Sequence, residues 1–380
     1  MEVVLWVMGW VTCIGLVVSI MELLVGYRLI HSLTKQTLYS GKFPSISIIF
    51  SALNEERDIE AALKTLLEID YPHLEIIAIN DRSTDKTKEI LERMKANQSR
   101  LKVFHLENLP EGWLGKNHAL HFASRKAAGE WLLFTDADVF MKPDTLKRAM
   151  SYILEKKIDH LTIFEHHIRK NIGLKMLLLG HYITYSLVMK PWRIRFPWSK
   201  KSLGHGAFNL VSKKVYDATG GHRKISMECM DDLKLGEIIK KNGFQQDTVD
   251  GRDFIEKEWY KSLGDMIEGV KKNSFSYFKY RPIGTLSVIL GAFLFFVWPF
   301  FGMFFSGSIG TINGVNVMLM LLMSLFIAKK FRLNPCFALL YPIGICILLY
   351  SVFNSLIATY KNKGIIWRGT FYSIKKLKKV

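Results

Sequence analysis

Hydrophobic and polar positions divide the 380-residue chain into three regimes. From Val3 to Tyr27 the run VVLWVMGWVTCIGLVVSIMELLVGY holds one acid, Glu22, and exceeds the ~20 apolar residues that cross a bilayer, so it predicts a transmembrane helix. Glu2 precedes the run and Arg28, His31 and Lys35 follow it. That is the wrong polarity for a signal peptide, and by the positive-inside rule the chain after it is cytoplasmic. Near the other end, apolar segments at Ile283–Phe305, Ile309–Ala328 and Cys336–Tyr360 predict further spans. Three full crossings would carry the basic tail to the far side, against the charge rule, so one segment is expected to be re-entrant. The middle one, interrupted by Asn313, Gly314 and Asn316, is the first candidate.

Between Lys42 and Arg281 short β-rich runs alternate with helical periodicity, which predicts an α/β unit. Strands are expected at Ser45–Phe50, Leu74–Ile79, Leu101–His105, Trp131–Phe134, Asp159–Phe164 and Ala207–Val211, and a helix over Glu55–Glu68 presents Ile59, Ala62, Leu63, Leu66 and Leu67 on one face. Continuous apolar strands joined by helices imply a mostly parallel sheet covered on both sides, with ligands at the carboxyl ends of the strands. Tyr260, Leu263, Met266, Ile267 and Val270 fall at helical spacing and suit an interfacial helix. Ile172–Val188, followed by Lys190-Pro-Trp-Arg-Ile-Arg-Phe-Pro-Trp198, reads the same way, with ordinary core packing as the alternative for both. The expected division is a transmembrane anchor (1–28), an α/β domain (42–250), an interfacial amphipathic region (251–281), transmembrane segments (282–360) and a basic cytoplasmic tail (361–380).

Composition sharpens this. Hydrophobic residues make up 49% of the chain, too many for a disordered or wholly soluble protein. Lys and Arg outnumber Asp and Glu by 52 to 34, a net charge of +18, and beside such apolar runs the excess suits an anionic membrane surface better than nucleic acid. Cys13, Cys229, Cys336 and Cys346 show no CxxC pairing, which argues against a disulfide scaffold or zinc finger.

Polar residues gather just after the expected strands. Ser51-Ala-Leu-Asn-Glu-Glu56 and Asn80-Asp-Arg-Ser-Thr-Asp-Lys-Thr87 each lead from strand to helix and read equally well as helix caps. Thr135-Asp-Ala-Asp138 puts two carboxylates at i and i+2, which is costly unless a cation or water sits between them. Such hard oxygens suit Mg²⁺ or Mn²⁺; a solvated loop is the alternative. Leu114-Gly-Lys-Asn-His-Ala119 offers Lys116 to a diphosphate but is no P-loop. Met230-Asp-Asp-Leu-Lys-Leu-Gly236 starts a helix, where acids are also ordinary caps. His166 and His167 point apart on a strand and make a poor metal pair.

The order of these patterns, N-E-E, N-D-x-S-x-D, D-x-D and D-D-x-x-L-G, resembles family 2 glycosyltransferases of the GT-A fold over about Pro44 to Lys241. The resemblance implies that Asn54, Glu55 and Asp81 belong to the nucleotide pocket with Lys116 beside them. It makes Asp136 and Asp138 the D-x-D that holds a divalent metal and the donor diphosphate, and Asp232 the catalytic base, with Asp231 where Glu is commoner. Gly112–His118, Gly206-Ala-Phe-Asn-Leu210, Ala218–His222 and Gly364–Tyr372 look like the membrane-bound branch that glycosylates lipids, carotenoid-acid and hopanoid-associated enzymes among them. Polymer-making relatives carry Q/R-x-x-R-W after the base, whereas this chain reads Arg252-Asp-Phe-Ile-Glu-Lys-Glu-Trp-Tyr260. The expectation is a multi-pass inverting hexosyltransferase of the cell membrane, its catalytic domain cytoplasmic, taking a UDP-hexose or similar donor and a lipid acceptor. A processive polysaccharide synthase and a non-catalytic nucleotide-binding protein are the alternatives. Neither the sugar nor the particular lipid follows from these residues.

Overall fold

The structure, a computed structural model, describes residues 2–168, 171–367 and 370–377. Two compact units divide the chain: Leu29–Ile168 with Pro191–Trp259 form one, and Met1–Arg28, Arg169–Lys190 and Tyr260–Lys378 the other.

The first unit is built on strands β1 (His31–Ser32), β2 (Ile46–Ala52), β3 (Leu74–Asp81), β4 (Leu101–Leu106), β5 (Trp131–Phe134), β6 (Val139–Met141), β7 (His160–Phe164), β8 (His166–His167), β9 (Asn209–Ser212), β10 (Gln246–Asp250) and β11 (Ile255–Lys257). Eight of them form one sheet in the order β1-β10-β7-β9-β5-β2-β3-β4, and β6-β11-β8 form a small second sheet. Within the large sheet only β9 runs antiparallel to its neighbours, β5 and β7. The mostly parallel sheet read from the sequence is therefore present. Its faces are covered as continuous apolar strands require. On one face Ile48, Phe50, Ile76 and Leu133 pack with Ile59, Leu63 and Leu66 of the helix Ile59–Leu67 and with Leu146, Ala149 and Ile153 of Thr145–Lys156. On the other, Ile49, Ile77 and Leu132 pack with Ala119, Leu120 and Ala123 of Gly115–Lys126 and with Leu235 and Ile239 of Asp231–Lys241. Burying a Leu or Ile side chain contributes roughly 1.5–3 kcal/mol, so these two layers hold the strand ends that carry the polar motifs.

Among the described residues, four helices are long and apolar enough to cross a membrane, at Glu2–Leu29, Ile172–Arg193, Gly307–Lys330 and Pro335–Lys361. Inside the second, helical unit Gly180 lies against Gly344, where a Cβ would meet the Gly344 backbone at 2.9 Å. Such contacts between small residues let helix backbones approach closely. Tyr27 Oη and Ser186 Oγ share a hydrogen bond of 2.7 Å, and Lys190 pairs with Glu22 at 2.6 Å. The helix Gly307–Lys330 runs unbroken through the Asn-rich stretch, contrary to the re-entrant reading. The side-chain donors are met without breaking the backbone, Asn313 Nδ2 donating to Ile309 O at 2.9 Å and Asn316 Nδ2 to Gly9 O at 2.9 Å, while both Oδ1 atoms are buried without a partner. The interruption falls one segment earlier, where the helix Pro282–Phe296 ends before Pro299. At 1.5 Å per residue it is about 22 Å long, short of the ~30 Å hydrocarbon core. Tyr260–Val270 contributes to the helix Leu263–Tyr277, and Gly364–Trp367 pairs with Thr370–Ser373. Arg368 of the tail motif lies outside the described residues.

Candidate active site

β2, β3 and β5 lie side by side and parallel, so their carboxyl ends deliver three of the polar motifs to one edge. Asn54 sits at φ +57°, a conformation Asn tolerates. Its Oδ1 accepts from Thr84 N at 2.8 Å, and its own amide donates to Ser83 Oγ at 3.1 Å. Glu55 N donates to Thr87 Oγ1 at 2.9 Å. The N-E-E and D-x-S-x-D loops thus clasp each other. Asp81 is buried and receives both Nε and Nη2 of Arg82 at 2.8 and 3.1 Å. Arg82 holds φ +62°, a strained conformation for a long side chain, of the kind that clusters at functional sites. A Cβ on Gly115 would meet Arg82 Nη2 at 2.3 Å and Asp81 Oδ2 at 2.5 Å. Only glycine lets the Gly115–Lys126 helix start against that pair.

Lys116, at the start of that helix, reaches Asp136 Oδ1 at 2.9 Å and Asp231 Oδ2 at 3.1 Å. Lys257 reaches Asp136 Oδ2 at 2.6 Å and Asp138 Oδ1 at 3.1 Å. Burial opposes ionisation of Asp136, but the two ammonium groups outweigh it and hold its carboxyl far below the usual range. Of the cation or water that the sequence left open between the two carboxylates, the structure shows a cation, a lysine from β11. It lies in the very stretch, Arg252–Tyr260, that departs from the polymerase motif. No spacing rule marked it.

Asp232 stands at the start of the helix Asp231–Lys241, and its Oδ1 accepts from Leu233 N at 2.8 Å. Burial, then the adjacent Asp231 carboxylate, then Asp136, push its carboxyl up to about 6, against the opposing pull of Lys116. A Cβ on Gly206 would lie 2.6 Å from Asp136 Oδ2 and 3.5 Å from Asp232 Oδ2, so the two carboxylates face each other across this glycine. Asn209 Nδ2 donates to Asp232 O at 3.3 Å and Asn117 Nδ2 to the carbonyls of Ile225 and Glu228 at 2.8 and 2.9 Å. These amides anchor the turn that presents the D-D pair. We expect Gly206→Ala to lower kcat/KM on the order of 100-fold, the scale of an ångström misplacement at reacting groups, while the melting temperature stays near wild type. Steady-state kinetics and thermal unfolding check this.

Two further groups, Glu165 and His205, escaped the sequence. His205 Nδ1 contacts Glu165 Oε2 at 3.0 Å and Ile163 O at 2.9 Å, and His167 Nε2 contacts Glu165 Oε1 at 3.1 Å. Burial opposes protonation of His205, but Glu165 and Asp232 outweigh it and raise its pKa. His167 stacks on Trp259 with ring centroids 5.0 Å apart. Among the described residues no group of three or more His, Cys, Asp or Glu could hold a metal ion. Two hard carboxylates two residues apart still fit Mg²⁺ or Mn²⁺, which complete their shells with substrate phosphates and water. Asp138 Oδ2 lies outside the lysine bridge.

The acidic motifs thus sit on the carboxyl edge of a mostly parallel sheet covered on both faces, an arrangement shared with a solved glycosyltransferase described below. Residues 47–220 match the family described as "Glycosyl transferase family 2", the family that the motifs resemble. The chain is similar to 4,4'-diaponeurosporenoate glycosyltransferase of Staphylococcus aureus (strain bovine RF122 / ET3-1), 24% identical over 301 residues that cover 75% of this chain and 78% of the relative. The USA300 strain's protein gives the same figures. Among solved structures, a mannosyltransferase from Pyrobaculum calidifontis in complex with GDP-Man and Mn²⁺ shares the fold at TM-score 0.54 and 16% identity, covering 94% of this chain and 99% of that one.

Proposed function

We propose that the chain transfers one hexose from a nucleoside-diphosphate sugar to a hydroxyl or carboxyl of a lipid, with inversion, at the cytoplasmic face of the membrane. The observation that carries the reading is one raised carboxyl, Asp232, facing the lysine-paired Asp136 across Gly206. Asp232 takes the acceptor proton and aims its oxygen at the anomeric carbon. No second carboxylate is needed as nucleophile, and a single displacement inverts. The nucleoside lies at the edge of β2 and β3, beside Asn54, Glu55 and Asp81. There Ser51 Oγ and Asn80 Oδ1 are buried without a partner, each an unmet bond worth roughly 1–3 kcal/mol. Lys116 serves the diphosphate. Asp136 and Asp138 would hold the Mg²⁺ or Mn²⁺, which supplies Lewis-acid neutralisation of the departing diphosphate. The lipid acceptor follows the named activity of the Staphylococcus aureus relatives and the apolar helices of this chain. Cytoplasmic placement rests on Arg28, His31 and Lys35 after the first helix.

Expression in a lipid-rich host, with mass spectrometry of extracted lipids, tests the reading. A new glycolipid carrying one sugar, absent with Asp232→Asn, is expected; long polymer or no product would refute it.

The pH dependence follows from the same carboxyl. A base works when deprotonated, so kcat/KM should fall as pH drops through about 6, the value to which Asp232 is raised. Asp231→Asn removes a like charge, lowers the Asp232 pKa and should move that limb to lower pH. A pH–rate profile of both proteins measures it.

A further inference from the structure

The two carboxylates assigned above to the divalent ion are already bridged by one ammonium group. Lys257 Nζ lies 2.6 Å from Asp136 Oδ2 and 3.1 Å from Asp138 Oδ1, while Lys116 Nζ takes Asp136 Oδ1 at 2.9 Å. Lys257 and Lys116 are 12% and 13% exposed, so neither pair is a solvated surface bridge. The backbone of Lys257 is fixed on both sides: it lies opposite Val139 of β6 and beside His167 of β8. That register sets its stem next to Asp138, one residue from Val139. A Mg²⁺ or Mn²⁺ would bind these oxygens at about 2.0–2.2 Å, inside the space the ammonium fills, and two cations cannot share it. A diphosphate resolves the conflict. It brings its own anionic oxygens, and a lysine, a point charge with three donors on a flexible four-carbon stem, can turn from the carboxylates to them.

We propose that Lys257 occupies the metal position of the donor-free enzyme, so that the divalent ion enters only together with the diphosphate that draws this ammonium off Asp136 and Asp138. The inference rests on the assignment of Asp136 and Asp138 as metal ligands. It makes donor and metal binding mutually dependent, and it gives Lys257 a second role as a cationic contact of the leaving diphosphate.

Mn²⁺ binding to the purified full-length chain in detergent, read by electron paramagnetic resonance with no acceptor and no turnover, tests it. UDP and GDP serve as separate probes, and Asp138→Ala is the blank for Mn²⁺ held by nucleotide alone. The wild type should bind Mn²⁺ on the order of 10-fold or more tightly once nucleotide is added, the scale at which linked sites couple. Lys257→Met should tighten nucleotide-free Mn²⁺ binding by a similar factor and abolish most of that coupling; Lys257→Arg, which keeps the charge, should retain it. Equal Mn²⁺ affinity of the wild type with and without nucleotide would overturn the proposal without recourse to any variant. So would Lys257→Met, folded by its thermal transition, with unchanged nucleotide-free affinity. If Mn²⁺ binds in no state above the Asp138→Ala blank, the metal assignment itself falls, and the inference with it.

Discussion

Asp232→Asn is expected to lower kcat by roughly 10²–10⁴-fold, the usual contribution of a positioned general base, while the donor KM changes little. The amide keeps the side chain's shape and can still receive Leu233 N through its oxygen, so the helix start survives. The carboxyl loses its proton affinity, and the burial that raised it no longer matters. Single-turnover transfer with saturating donor measures the loss. Comparable kcat in the variant would move the base elsewhere, with Asp231 as first candidate, although its pairing with Lys116 at 3.1 Å already commits it.

The second large effect separates two neighbouring carboxylates. Asp138→Ala should remove metal-dependent turnover and leave the fold intact, because Lys257 keeps Asp136 at 2.6 Å. Asp136→Ala should also destabilise the protein, since Lys116 and Lys257 lose their shared partner, though by less than the roughly 3–5 kcal/mol of a fully orphaned buried charge because Asp231 and Asp138 still pair with them at 3.1 Å. Activity with and without chelator, beside thermal unfolding of both variants, distinguishes them. Full chelator-resistant activity in Asp138→Ala would exclude Asp138 from any metal site.

Most of the sheet was legible because its strands are apolar runs bounded by turn residues: Trp131–Phe134 falls where expected, and Leu74–Asp81 extends by two residues into its polar motif. β10 escaped because Gln246, Asp247 and Thr248 are polar yet buried. Their partners come from distant segments: Gln246 Nε2 meets His160 Nδ1 at 2.9 Å, and Asp247 Oδ2 accepts from Tyr152 Oη at 2.7 Å. The same limit hid Lys257, Glu165 and His205, whose neighbours are more than 30 residues away or lie across a second sheet. Asp81, Lys116, Asp136, Asp138 and Asp232 stood out as candidates because each lies at a strand end, in the short loop after a strand or in the first turn of a helix, where the sequence is read most easily. Three of the four helices long and apolar enough to cross a membrane were placed by composition, but Ile172–Arg193 was read as interfacial and the break after Phe296 was not foreseen. Asn313 and Asn316 look disruptive in isolation, yet their Nδ2 donors are met by the helix's own turn and by Gly9 O.

The helix at Ile172–Met189 leaves the α/β unit after Ile168, and the chain rejoins that unit at Pro191. Strands on both sides of it build one sheet, and β9, made after the helix, lies between β7 and β5, made before it. The helix is nevertheless long and apolar enough to be threaded across a bilayer as it leaves the ribosome. Were that to happen, β9 and β10 would be delivered to the opposite compartment and the sheet could not close. Synthesis therefore opens an interval, on the order of seconds at ordinary elongation rates, in which the insertion machinery and the unfinished sheet compete for this segment. His181, Thr184 and Ser186, each of which weakens a membrane-insertion signal, sit within it. On the proposed membrane reading, the constraint on this stretch is an upper limit on greasiness set during synthesis.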